Sequence, residues 1–406
     1  MTSDRVESLD LIRGIAILGI LAINIAGIAG PPASVLSPHL PTSGTLGDEI
    51  AFATSFVLFE GKMRALFTLL FGASLVLFIE RVDARGADGL AAQLRRLSWL
   101  ALFGLAHFYL LWWGDILFIF AIAGLFALLA HDAATKPLVI SALAIFAIWH
   151  LAGMIMSGPV IVAEEHVRLG TASTAQANEH HTYLEAADAN TANSIADVEG
   201  NFAAQAMSRI AGATFQPLAR AFTSIGETLP LMLLGIVLYR SGFFSGKWPR
   251  ARLLRVAWVG TASGLILTLA LLGWAWPREF PVRAMEAIFM YWAALPHLLM
   301  AIGYAAILVL LAPHIIGSTP GLRIVAAGRM AFSNYIGTTL LMTALFYGWG
   351  LGLIGQFGHA GLLAFVVLGW AAILAWSKPW LSRFRYGPLE WLWRCLTYGR
   401  IFAIRR

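Results

Sequence analysis

The chain holds a single cysteine, Cys395, so neither an internal disulfide framework nor a multi-cysteine metal cluster is open to it. Charge is scarce too: Asp, Glu, Lys and Arg make up 12% of the 406 residues, about half the ~25% of an ordinary soluble domain. There is no Walker-type phosphate loop, no His-Glu-x-x-His and no Gly-x-Ser-x-Gly elbow, so the common signatures of soluble catalytic domains are missing. Residues 164–166 and 179–181 read Glu-Glu-His and Glu-His-His. Adjacent ligands do not share a helical face, and no metal is expected.

What the chain has instead is apolar length. It is 59% hydrophobic with a mean hydropathy of +0.75, the composition of an all-α, polytopic membrane protein. Apolar runs fall near 11–28, 50–79, 95–113, 116–131, 137–156, 220–239, 254–275, 285–312, 328–349 and 360–377. They predict about ten transmembrane helices in one domain, 1–406. The first run exceeds the ~7–15 residues of a signal-peptide core, so an uncleaved span is expected. With both termini cytoplasmic, 21 of the 28 Lys and Arg lie on the cytoplasmic side and five on the other, which sets the orientation. The net charge of +6 is then bilayer anchoring, and no nucleic-acid partner is expected. Residues 157–217 form a polar extracytoplasmic insertion of short surface helices, and 378–406 a basic amphipathic tail on the inner face.

Polar groups inside the apolar runs mark a site, because charge at that depth costs at least ~2.5 kcal/mol. Residues 95–131 read as a helical hairpin about Gly114-Asp115. His107 lies eleven residues past Arg96, roughly 16 Å along the axis and near mid-membrane. Gly104, one turn below, leaves room for a ligand or a neighbouring helix, while Phe103 walls that space. Asp115 can orient the imidazole only if the chain folds it back. Asp10, Arg13 and Asn24 share one face of the first helix, within about 60° at ~100° per residue. Glu60-Gly61-Lys62-Met63-Arg64 breaks the second run, so that segment kinks or re-enters, or Lys62 and Arg64 line a polar chamber. A packing role is the alternative for each: a core histidine at 107, an end-anchoring pair at Asp10 and Arg13.

The blocks SLDLIRGIAILGILAINI, FEGKMRALFTLLFGASL, RRLSWLALFGLAHFYLLWWGDIL, GRMAFSNYIGTTL and GPLEWLWRCLTYGR resemble the YeiB-type family of bacterial inner-membrane proteins over nearly the whole chain. That family is similar to the transmembrane acyltransferases, including the lysosomal heparan-alpha-glucosaminide N-acetyltransferase and, more distantly, the acyltransferase-3 group. The resemblance implies acyl transfer in the bacterial inner membrane, with acyl-CoA as donor. Asn24 stands where acyltransferase-3 proteins carry a histidine implicated in catalysis, so the base must sit elsewhere.

Acyl transfer needs a base for the acceptor proton and donors for the developing oxyanion. His107 is the candidate base, with Asp115 to orient it. Lys62 and Arg64, or Arg95 and Arg96 at the inner mouth, suit the phosphates of the donor. Asn24, Asn334 and Tyr335 supply neutral donors or lock helices together, and Asp10 and Arg13 complete the binding set. The acceptor is a hydroxyl or amine on a glycan, lipid or small metabolite. The rival reading is a transporter of a small solute using Lys62, Arg64 and His107. Oligomeric state stays open, a homo-oligomer included.

Overall fold

The computed structural model describes residues 7–406; Arg5, counted above among the anchoring charges, lies outside the described residues. Every regular element among the described residues is helical, and the one extended contact is an isolated bridge between Phe384 and Arg405. The chain opens with α1 (Glu7–Ala29), followed by α2 (Leu46–Leu58) and α3 (Lys62–Asp83). Gly61 makes the expected break between α2 and α3: its φ of 68° is left-handed, and a Cβ there would fall inside the His297 ring. Then α4 (Gly89–Ala106) passes into a π-helical turn, His107–Leu111, and α5 (Leu117–Leu128) returns.

Next come α6 (Thr135–Arg168), α7 (Thr174–Glu199), α8 (Phe202–Gly212), α9 (Gln216–Arg240) and α10 (Arg250–Ala275). A short α11 (Val282–Ala287) and a second π-helical turn lead into α12 (Ala294–Ile315). The chain closes with α13 (Thr319–Arg329), α14 (Ala331–Phe346), α15 (His359–Arg383) and α16 (Pro388–Tyr398). Among the described residues seven segments are long and apolar enough to cross a membrane: α1, the α2–α3 pair, α6, α9, α10, α12 and α15. The other three apolar runs are shorter or broken. The second arm of the hairpin, α5, has only 12 residues, roughly 18 Å against ~30 Å of hydrocarbon.

The insertion at 157–217 differs from its expected form. α6 continues unbroken to Arg168, and α7 is one 26-residue helix with no buried residue. A Ser173–Gln176 capping box starts α7, and its Ala- and Glu-rich composition sustains it. It is tied down by Arg283 to Glu179 at 3.0 Å and by Tyr183 donating to Glu286 at 3.2 Å.

The core gathers around α1, α3 and α9. Gly72 and Gly235 let α3 and α9 touch backbone to backbone, since a Cβ on either would meet the carbonyl of Met232 or Leu69. By contrast α6, α10 and α15 lie largely at the surface and expose residues such as Ile148, Ile155, Trp258, Ile266 and Val367. That apolar rim suits a lipid surrounding. At the N-terminal end of α1, α16 docks under the bundle. Glu390 accepts from the Phe332 and Ser333 amides at 2.8 and 3.0 Å, at the positive end of α14. The Trp393 indole donates to the Arg96 carbonyl at 2.8 Å.

Candidate functional site

His107 and Asp115 do meet, because the chain folds back between them. The π-helical turn closes on a bond from the Trp112 amide to the His107 carbonyl, and the Trp112 indole donates to the Gly27 carbonyl, both 3.0 Å. Gly104 serves helix approach: a Cβ there would strike the Phe118 amide, so α5 starts hard against α4. His107 Nδ1 then lies 3.0 Å from Asp115 Oδ1, and the Phe118 amide donates to Asp115 Oδ2 at 2.7 Å. His107 Nε2 sits 3.1 Å from the Thr339 hydroxyl. A carboxylate only accepts, so Nδ1 carries a proton; the single hydrogen of the Thr339 hydroxyl has both Nε2 and the Tyr335 carbonyl within 3.1 Å. His107 is 2% exposed and Asp115 5%.

Asp115 forms part of the wall of a chamber of about 310 Å³. Asn24, Glu60, Arg64, Arg220, Glu227 and Tyr335 also line it, with Trp112, Trp113 and Trp149 as aromatic walls. Arg64 pairs with Glu227 at 3.0 Å. The Arg220 guanidinium lies over the Trp113 ring, 4.9 Å from its centroid, and donates to the Trp113 carbonyl. Arg220 is also within electrostatic range of Asp115 and Tyr335.

A second, narrower cavity of about 170 Å³ lies toward the N-terminal end of α1. Arg13, Arg96 and Arg329 line it, together with Ser74, Glu390 and Trp393. Arg13 is held by Asp10 at 2.9 Å and Ser74 at 3.1 Å, and Arg96 stacks on Phe78 and Trp393. Ile20, Ile116 and Tyr335 line both cavities and form the septum between them. The Tyr335 ring lies 5.0 Å from that of His107, and its hydroxyl reaches the Gly114 carbonyl at 3.4 Å.

Of the residues singled out from sequence, the structure brings Asp115, Asn24, Arg64 and Tyr335 to the chamber and Arg13, Arg96 and Tyr335 to the narrow cavity, with His107 buried behind Asp115 and lining neither, and Asp10 holding Arg13. It places three elsewhere. Lys62 is fully buried, its ammonium donating to the Phe56 carbonyl at 2.6 Å above the Phe56 ring; it closes the helix break and lines neither cavity. Asn334 is taken up by Ala327, Ser377 and Trp376 and joins α13, α14 and α15. Arg95 donates to the Thr397 carbonyl at 3.0 Å and anchors α16. Sequence reasoning passed over Arg220, Glu227 and Thr339. Arg220, Thr223, Ser224 and Glu227 form an i, i+3, i+4, i+7 polar stripe on α9, which was the signal.

Similarity to known proteins follows the same outline. The chain is 31% identical to the uncharacterized protein YeiB of Escherichia coli (strain K12), over 97% of this chain and 96% of that one. The chain belongs to the YeiB family. A second YeiB-type relative, the uncharacterized protein YxaH of Bacillus subtilis (strain 168), is 30% identical over 98% of this chain and 95% of its own. A 39.9 kDa protein from the amylase 3' region of Bacillus acidopullulyticus is 25% identical, over 99% and 96%. Residues 238–400 match a family described as a protein of unknown function, DUF418. No solved structure matches the chain.

Proposed function

We propose that this YeiB-family protein is a membrane-embedded acyltransferase of the bacterial inner membrane, with both termini cytoplasmic. It takes an acyl group from cytoplasmic acyl-CoA to a hydroxyl or amine of a glycan, lipid or small metabolite. One observation carries the reading: two cavities stacked along α1 meet at a septum with a buried His107–Asp115 pair beside it. Arg13 and Asn24 mark the two cavities, eleven residues or roughly 16 Å apart along the helix.

The narrow cavity is the donor side. At about 170 Å³ it is smaller than the ~300–1,000 Å³ of most small-molecule sites. It therefore admits the slender acyl-bearing arm, while Arg13, Arg96 and Arg329 draw the phosphates to its mouth. The chamber is the acceptor side, where indoles and paired charges hold a polar molecule. The acceptor O–H or N–H replaces the Thr339 hydroxyl at His107 Nε2. As its oxygen or nitrogen bonds to the acyl carbon, the proton passes to Nε2, with Asp115 stabilising the imidazolium. The carbon–sulfur bond breaks and the leaving thiolate takes that proton. Tyr335 and Asn24 are the donors nearest the developing oxyanion.

The test is the melting temperature of the purified protein against acetyl-CoA and CoA, in wild type and His107→Ala. A ligand bound only by the folded protein raises it with concentration. The expected result is a rise in both proteins, with transfer to an acceptor in wild type alone. No rise in either folded protein would remove acyl-CoA as donor and favour the transporter reading.

A further inference from the structure

A cavity of about 680 Å³, larger than the chamber, belongs to neither the chamber nor the septum. It is a groove on the outer side of α10 and α12, and its shape follows from how those helices pack. Gly260 and Gly264 on α10, spaced by four, and Gly303 on α12 bring the backbones together: a Cβ at Gly260 would lie 2.7 Å from the Leu299 carbonyl oxygen. From that contact the two helices diverge toward Arg250 and His314, and the groove opens between them. Leu254, Ala257 and Trp258 form one wall and Ile307, Leu310 and Leu311 the other. Trp258 is 74% exposed and Leu311 43%, so the groove faces the same surroundings as the rest of the apolar rim.

Its polar end is one-sided in charge. Arg250, Trp248 and His314 close it, and Arg252 stacks on Trp248 with its guanidinium 3.5 Å from the ring centroid. Lys247, Arg250, Arg252 and Arg255 crowd this end, yet no Asp or Glu occurs from 228 to 278 or from 287 to 389. Among the described residues none of these four cations has a salt bridge to a carboxylate. From Arg250 to Thr261, which marks the closed end, is eleven residues or roughly 16 Å, close to half of a ~30 Å hydrocarbon core. The groove therefore has the depth of one leaflet.

We infer that this groove holds one anionic diacyl phospholipid, its phosphate at Arg250, Arg252 and His314 and an acyl chain along Leu254, Trp258 and Leu310. Basic pockets at the ends of membrane helices recognise such headgroups, while the apolar walls select a molecule with a chain over a free anion. The site is separate from the acyl-transfer reading and stands without it.

The experiment compares phosphatidylglycerol with phosphatidylcholine of the same chains, and with inorganic phosphate, added to the detergent-purified protein while its melting temperature is followed. The expected result is a concentration-dependent rise with phosphatidylglycerol alone. Arg250→Ala with Arg252→Ala should require roughly tenfold more of that lipid for the same rise. Both arginines are exposed, so the double variant folds, and native mass spectrometry of wild type should show a retained anionic lipid that the variant loses. Equal rises with both lipids, a rise with phosphate alone, no rise at all, or an unchanged response in the double variant would each overturn the site.

Discussion

The two cavities that meet at Tyr335 are built on different principles. The wide chamber alternates acid and base: Arg64 pairs with Glu227, Asp115 with the buried His107, Arg220 lies on the face and carbonyl of Trp113, and Glu60 is within electrostatic range of Arg64. In the narrow cavity Arg13, Arg96 and Arg329 share one small space with Glu390, which is committed to the amides and hydroxyl at the start of α14, while Arg13 is held by Asp10 and Arg96 lies on the Phe78 and Trp393 rings. Alternating charges hold a polar guest by geometry, whereas a local excess of one sign gathers an anion by field. That contrast is the support for assigning the anionic donor to the narrow side and the polar acceptor to the chamber.

The largest effect belongs to His107, where the two sides meet. His107→Ala should lower acyl transfer by about 10²–10⁴-fold while leaving the donor-induced rise in melting temperature intact; a variant that transfers normally would end its role as base. Next is Arg96→Gln, which touches only the narrow side. Donor affinity should fall about tenfold, the loss of one charge-assisted contact, measured by titration calorimetry, with acceptor affinity unchanged. If acceptor affinity fell instead, the sides would have to be exchanged.

A smaller contrast separates two cations that are two residues apart. Lys62→Met leaves the Phe56 carbonyl without its donor and should cost stability of about 1–3 kcal/mol without altering either affinity. Arg64→Met should leave stability nearly as it was and weaken acceptor binding. Denaturation and binding measured side by side would expose any exchange of those outcomes. Thr339→Val should have the least effect, a few-fold at most in transfer rate, because the acceptor displaces that hydroxyl. Abolished transfer with donor binding retained would instead make Thr339 a covalent station for the acyl group.

Much of this was legible in the residues. The hairpin about Gly114 and the spacing of His107 and Asp115 pointed to a pair, since a tight turn brings positions eight apart back together. The break at 60–64 was equally plain from three charges in an apolar run. Which way those charges face was not. A left-handed glycine resets the phase of the following helix, so the sequence alone does not fix which of Lys62 and Arg64, roughly 200° apart at ~100° per residue, faces the chamber. Asn334 misled because an amide that binds a ligand and one that ties three helices look alike in sequence. Thr339 stayed hidden because a threonine in an apolar helix ordinarily bonds its own preceding turn, and this one does that as well.

The close fit of α3 to α9 has a consequence for insertions and deletions. Gly72 against Met232 and Gly235 against Leu69 lock the two helices like teeth on a rack, and the Arg64–Glu227 pair lies farther along the same rack. A residue added within α3 between Arg64 and Gly72 would shift that pair by a tooth and turn Arg64 away. One added just before Lys62 would leave the pair aligned and fall instead on the Gly61 turn and the Lys62–Phe56 bond. Length variation on the α3 side of Lys62 therefore breaks the register of two helices, and on the α2 side only the turn between them.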